Sequence, residues 1–104
     1  MPLIAELFPD LEGFQWDDGN TSKSWGKHGI TWTDAEQVFT NRPVVVAGDA
    51  AHPGQEARYF SFGRTNAGRL LTVVFTIRGR RLRVISARPM SRRERRGYGQ
   101  ATRP

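Results

Sequence analysis

The stretch that decides the fold is Leu82 to Arg96, LRVISARPMSRRERR. It reads as a strand carrying arginines, a tight turn, and an arginine-rich helix. Leu82, Val84 and Ser86 are expected on one side of that strand, and Arg83, Ile85 and Ala87 on the other. Pro89 cannot donate to a ladder, so the strand is expected to end near Arg88. Ser91 followed by Glu94 forms a capping box that starts the helix. Arg92 and Arg93 then fall in its first turn, where the helix dipole disfavours positive charge. That cost points to a negatively charged partner.

Working back, Arg78-Gly79-Arg80 is a turn and Leu70 to Arg78 is the most apolar strand, expected at the sheet centre. Arg64 to Gly68 predicts a hairpin turn with Asn66 and Gly68 at positive φ. Residues 56–63 alternate, with Arg58, Phe60 and Phe62 opposite Tyr59 and Ser61. A β-branched run over residues 43–47 is another strand, followed by a polar loop over 48–54 in which His52 reads as an exposed loop residue. Thr33 and Glu36 predict a capping box for a helix to about Thr40 that buries Ala35, Val38 and Phe39. Thr21 to His28 predicts a shorter helix with Asn20 as N-cap and Gly29 as its stop. Phe14 to Trp16 fits a short strand, and residues 1–13 an N-terminal arm. Residues 99–104 are expected to be a disordered tail.

Consecutive strands with short turns make an antiparallel meander. The expected fold is therefore α+β: an antiparallel β-sheet of about four strands plus a short N-terminal strand, two N-terminal helices and a C-terminal helix, in one domain over residues 1–104.

The chain has 104 residues, no cysteine and two histidines. No disulfide framework or structural zinc site is expected. No apolar run reaches the length of a membrane span, and no signal peptide is seen, so a cytoplasmic protein is expected. The net charge of +6 is unevenly placed. Residues 1–63 hold four basic and nine acidic side chains, whereas residues 64–104 hold twelve arginines and one acid, Glu94. Such a dipolar surface attracts polyanions, and guanidinium forks suit phosphate.

No nucleophile elbow, Walker loop, dinucleotide fingerprint or metal-ligand spacing is present, so no cofactor and no metal are expected. What remains is arginine on strands: Arg58, Arg64, Arg69, Arg78, Arg83 and Arg88. With Tyr59 and Phe60 nearby for stacking, they read as an RNA-binding face. Cleavage of RNA asks little more, because the 2′-hydroxyl is an internal nucleophile. Arginines and one or two proton carriers from His28, Lys27, Tyr59 and Glu56 suffice. His28 reads equally as a helix-end residue suited to the dipole. From residues alone, RNA cleavage and simple nucleic-acid binding both stay open.

Trp16-Asp17-Asp18-Gly19-Asn20, Lys27-His28-Gly29-Ile30, Ala35-x-x-Val38-Phe39, Glu56-x-Arg58-Tyr59, Gly68-Arg69-x-Leu71-x-Val73, and Arg83 to Arg88 followed by Glu94-Arg95 and Tyr98 together resemble the BrnT toxins. These are the ribonuclease halves of bacterial BrnT–BrnA toxin–antitoxin pairs. The resemblance implies a RelE-like fold and a small toxin that cleaves RNA without a metal, halting translation and growth. Its implied partners are the RNA substrate and a ribbon-helix-helix antitoxin, with operator DNA reached only through the antitoxin complex. Among the positions that match, Arg83 and Arg88 are expected to stabilise phosphate and Lys27 or His28 to transfer a proton. Arg58, Tyr59, Arg64, Arg69, Arg78, Arg92 and Arg95 then contact RNA. The alternatives are a non-catalytic nucleic-acid-binding module and a decayed toxin that only binds its antitoxin.

Overall fold

A computed structural model describes residues 8–21, 29–49 and 56–103. Five strands, β1 (Gly13–Phe14), β2 (Val45–Asp49), β3 (Arg58–Arg64), β4 (Leu70–Arg78) and β5 (Arg81–Pro89), form one sheet in the order β1-β5-β4-β3-β2. The helices are α1 (Asp18–Thr21), α2 (Trp32–Thr40) and α3 (Arg92–Ala101). The fold is α+β, as expected. The four long strands pair antiparallel, and β1 joins the β5 edge in parallel. Two further bonds extend that edge, from Glu12 N–H to the Arg80 carbonyl (2.6 Å) and from Gln15 N–H to the Leu82 carbonyl (2.8 Å).

Helix α2 covers one sheet face. Ala35, Val38 and Phe39 are buried against Leu71, Val73 and Phe75 of β4 and Leu82, Val84 and Ala87 of β5. The approach is close enough that a Cβ on Gly63 would lie 2.9 Å from Val38 Cγ1. The helix starts two residues before the Thr33/Glu36 box predicted from the sequence. Thr31 Oγ1 accepts from Asp34 N–H (3.2 Å) and Asp34 Oδ2 accepts from Thr31 N–H (3.0 Å). The earlier start brings Trp32 into the helix, where its ring meets Trp16 at 5.4 Å. This aromatic contact, with Trp16 half-buried and Trp32 exposed, favours the earlier of two capping boxes of similar strength.

Asn20 is not the N-cap of a following helix. It lies within α1, 2% exposed, and brackets three backbones together. Its amide donates to the carbonyls of Gln15 (3.0 Å) and Val84 (3.4 Å), and its Oδ1 accepts from Asp17 N–H (2.8 Å). The remainder of the helix expected over 21–28, with Lys27 and His28, lies outside the described residues, as does His52. In the β3–β4 turn Gly68 takes positive φ (87°) but Asn66 does not. Asn66 is held instead by α2: its N–H donates to Gln37 Oε1 (3.0 Å) and its Oδ1 accepts from the Asn41 amide (2.9 Å).

Strand β5 departs from simple alternation. Val74 pairs with Ser86 while Phe75 pairs with Val84, so Ile85 is the extra residue of a β-bulge. Beyond the bulge the faces exchange. Ala87 joins Leu82 and Val84 in the core, whereas Ser86 and Arg88 join Arg83, the reverse of the expected grouping.

The capping box of α3 forms as read: Ser91 Oγ accepts from Glu94 N–H (3.1 Å) and Glu94 Oε1 accepts from Ser91 N–H (2.8 Å). The helix continues through residues 99–101, which were expected to be irregular. Thr102 closes it, donating to the Tyr98 carbonyl through both N–H (3.0 Å) and Oγ1 (2.7 Å). Among the described residues no helix is long and apolar enough to cross a membrane.

Candidate nucleic-acid interface

The face opposite α2 carries the strand arginines. On β3, Tyr59, Ser61 and Gly63 point to the α2 side with their partners Phe75, Val73 and Leu71, so Arg58, Phe60, Phe62 and Arg64 point away. The β4–β5 register adds Arg78 opposite Arg81, Arg83 opposite Thr76, and Arg88 opposite Thr72. Arg83 and Arg88 are five residues apart, a spacing that would put them on opposite faces of a regular strand. The bulge at Ile85 brings them to the same one. Helix α3 lies across part of this face, with Tyr98 OH donating to the Pro43 carbonyl (2.5 Å). Burial raises the pKa of that phenol above its ordinary value, keeping it neutral.

Three arginines of the face are each gripped by a carboxylate. Arg83 donates to Asp17 through Nη1 (2.7 Å) and Nη2 (3.2 Å). Arg88 donates to Glu94 through Nη1 (2.6 Å) and Nη2 (2.8 Å). Arg78 donates to Glu56 through Nε (2.9 Å) and Nη2 (2.9 Å). At the sheet end Arg80 meets Glu12 at 3.1 Å. These two-point contacts fix the plane of each guanidinium, and since each fork has five N–H donors, several stay available.

The arginines hold their partners ionised. The hydrogen bonds from Arg83 lower the Asp17 pKa, those from Arg78 lower that of Glu56, and those from Arg88 bring Glu94 down to about 2. Ser91 N–H and the Thr72 hydroxyl (3.2 Å) add to the effect at Glu94. None of these acids is suited to give up a proton near neutral pH. Glu56, a proton carrier in the sequence reading, is therefore poorly matched to a general-acid role.

The remaining sequence candidates divide clearly. Tyr59 is turned to the α2 side, stacked on Phe75 at 5.3 Å and met edge-on by Phe8 at 5.2 Å, away from the arginines. Arg64 donates to the Arg42 carbonyl (2.9 Å) at the sheet end. Arg69 lies in the β3–β4 connection, half-buried. Arg92 and Arg95 are exposed on α3, and Arg58 is exposed on β3; none of the three enters an ion pair among the described residues. Lys27 and His28 lie outside the described residues. The sequence reading missed Arg81, which only the β4–β5 register puts on this face, and the roles of Asp17 and Glu94 as arginine holders. The signal for Glu94 was present, since the lone acid among twelve arginines has little choice of partner.

Among the described residues no group of three or more His, Cys, Asp or Glu side chains could hold a metal ion. What this arrangement can do is bind phosphates on oriented guanidinium groups and stabilise charge accumulating on phosphorus. No curated protein matches the chain. The family described as the ribonuclease toxin, BrnT, of type II toxin–antitoxin systems matches residues 16–94, about three quarters of its length, and the span takes in α1, all four long strands and the Arg88–Glu94 pair. The chain thus belongs to the BrnT family of ribonuclease toxins.

Proposed function

We propose that this toxin cleaves RNA without a metal ion, by attack of the 2′-hydroxyl on the adjacent phosphate, on the face that carries Arg58, Arg78, Arg83 and Arg88. The observation that carries the reading is the β-bulge at Ile85, which sets Arg83 and Arg88 on one face of β5. In the reaction the 2′-oxygen bonds to phosphorus and the P–O5′ bond breaks. A base takes the 2′-hydroxyl proton and an acid protonates O5′, leaving a 2′,3′-cyclic phosphate and a 5′-hydroxyl. Arg83 and Arg88 stabilise the charge on the non-bridging oxygens. Arg58, Arg64, Arg69, Arg78, Arg92 and Arg95 hold the backbone on either side. Tyr59, on the far face, supports the strand rather than a base.

Proton transfer falls to Lys27 and His28, because Asp17, Glu56 and Glu94 are kept ionised by arginine. The same pairing argues against a divalent ion on this face, since the ion would have to displace a guanidinium from each carboxylate. An antitoxin of the ribbon-helix-helix type neutralises the toxin, and operator DNA is bound through that complex. The site of action is the cytoplasm, where the substrate RNA lies.

The test is cleavage of RNA by the antitoxin-free protein with excess chelator, comparing wild type with Arg83→Ala and His28→Ala. Metal-free cleavage leaving 2′,3′-cyclic phosphate ends, lost in both variants while circular dichroism shows them folded, is the expected result. No cleavage by wild type, with or without translating ribosomes, would refute the nuclease mechanism and leave a binding module.

A further inference from the structure

A cleft of about 170 Å³ opens beside α3, lined by Val45, Phe62, Glu94, Gly97 and Tyr98. Its floor is the Val45–Phe62 pair of β2 and β3, on the arginine face. The next cross-strand row, Ala47, Phe60, Val74 and Ser86, leads from it over the open sheet. Tyr98 is pinned as a wall by its bond to the Pro43 carbonyl. Gly97, its neighbour on the helix, also lines the cleft, and a Cβ there would meet nothing within 4 Å.

The polar wall is Glu94, and its bonding is uneven. Oε1 accepts from Ser91 N–H, the Thr72 hydroxyl and Arg88 Nη1, whereas among the described residues Oε2 accepts only from Arg88 Nη2. Oε2 therefore keeps a lone pair for one more donor. An apolar cavity of about 150 Å³ takes a benzene-sized ring, so this cleft has room for the ring of one base. Resting on the reading of the arginine face as the RNA surface, we propose that the cleft receives one nucleobase of single-stranded RNA. The base lies against Phe62 and Tyr98, an N–H of its edge donates to Glu94 Oε2, and its phosphate sits at Arg88. Charge favours this occupant over an apolar side chain of a protein partner. The helix that supplies Glu94, Gly97 and Tyr98 also carries four exposed arginines, Arg92, Arg93, Arg95 and Arg96, and the one acid in the cleft lining is already bound by Arg88. Unstacked bases held on aromatic rings beside arginines are how proteins read single-stranded RNA.

Gly97 supplies the test, because it lines the cleft and a Cβ there meets nothing within 4 Å, so a larger residue can be added at the cleft without disturbing the packing. Binding is measured by fluorescence anisotropy with a short 2′-O-methyl oligonucleotide of mixed sequence, and with the same backbone bearing abasic sites. Neither probe can be cleaved, so the readout is separate from catalysis. Gly97→Leu should weaken binding of the base-bearing probe about tenfold and leave the abasic probe unchanged. Gly97→Ala should fall between, and Gly99→Ala, also in open space, should match wild type. The proposal is overturned if Gly97→Leu binds the base-bearing probe as wild type does, or if it loses affinity only for the antitoxin. A wild type that cleaves no RNA, yet loses base-dependent binding in Gly97→Leu, keeps the cleft and removes the nuclease reading. A wild type that cleaves while Gly97→Leu binds normally does the reverse.

Discussion

Replacing Glu94 with Gln should remove a defined, pH-dependent part of the stability. The isosteric amide keeps the shape but loses the charge that Arg88 grips at 2.6 and 2.8 Å. In the folded protein the Glu94 carboxyl is lowered from an ordinary 4.5 to about 2, which at ~1.4 kcal/mol per pH unit corresponds to about 3 kcal/mol. The Glu94 side chain is 21% exposed but Arg88 is 51% exposed, so solvent screens one end of the pair. The measurable loss is then between about 1 and 3 kcal/mol. Because the folded-state pKa is depressed, this stability is fully present above about pH 4.5 and fades as pH falls towards 2. Urea unfolding followed by circular dichroism, at intervals from pH 7 to 2.5, should show wild type well above Glu94→Gln at neutral pH. The two curves should converge in acid. Asp17 and Glu56 titrate with the same sign in both proteins and cancel in the difference. A gap that stays constant from pH 7 to 2.5 would show that the Arg88–Glu94 charge pair contributes nothing and that the loss is one of capping geometry.

Gly63→Ala should cost about 1–3 kcal/mol, read as a lower thermal midpoint, because its Cβ would meet Val38 Cγ1 at 2.9 Å and the Val38 carbonyl at 3.2 Å; an unchanged midpoint would mean that α2 can lift from the sheet at little cost. Asn20→Ala removes the side-chain bonds that tie the backbones of Gln15, Asp17 and Val84 together. It should destabilise by about 1–3 kcal/mol and, by loosening Asp17 from Arg83, reduce RNA cleavage more than Gly63→Ala does at equal stability. Arg58→Ala should leave the thermal midpoint within about 0.5 kcal/mol of wild type. If it contacts phosphate, it should lower the slope of log affinity for RNA against log salt by about one, and an unchanged slope would place it off the RNA path.

Local chemistry accounts for what was legible in the chain. Ser91 and Glu94 lie within one helical turn, so their capping box needs no distant partner, and it forms as read. The alternation of Arg58, Phe60 and Phe62 against Tyr59 and Ser61 is likewise a property of five consecutive residues, and it assigns the open and covered faces of β3 correctly. Where two local solutions compete, packing chooses: Thr31 rather than Thr33 caps α2 because Trp32 then reaches Trp16. Asn20 has the composition of an N-cap, yet it is claimed by the Gln15 and Val84 carbonyls, the second of them 64 residues away.

By itself, the sequence determined the antiparallel meander, the family, and the concentration of arginine in its last third, since strand periodicity, turns and net charge are carried by neighbouring residues. The tertiary structure decided which arginines share a face. The bulge at Ile85 exists only in the pairing of β5 with β4, and it exchanges the faces beyond Val84. It therefore sends Ala87 into the core and places Arg88 on the same face as Arg83. The holding of Arg83 by Asp17 and of Arg78 by Glu56 likewise depends on contacts that close long loops, which no local pattern encodes.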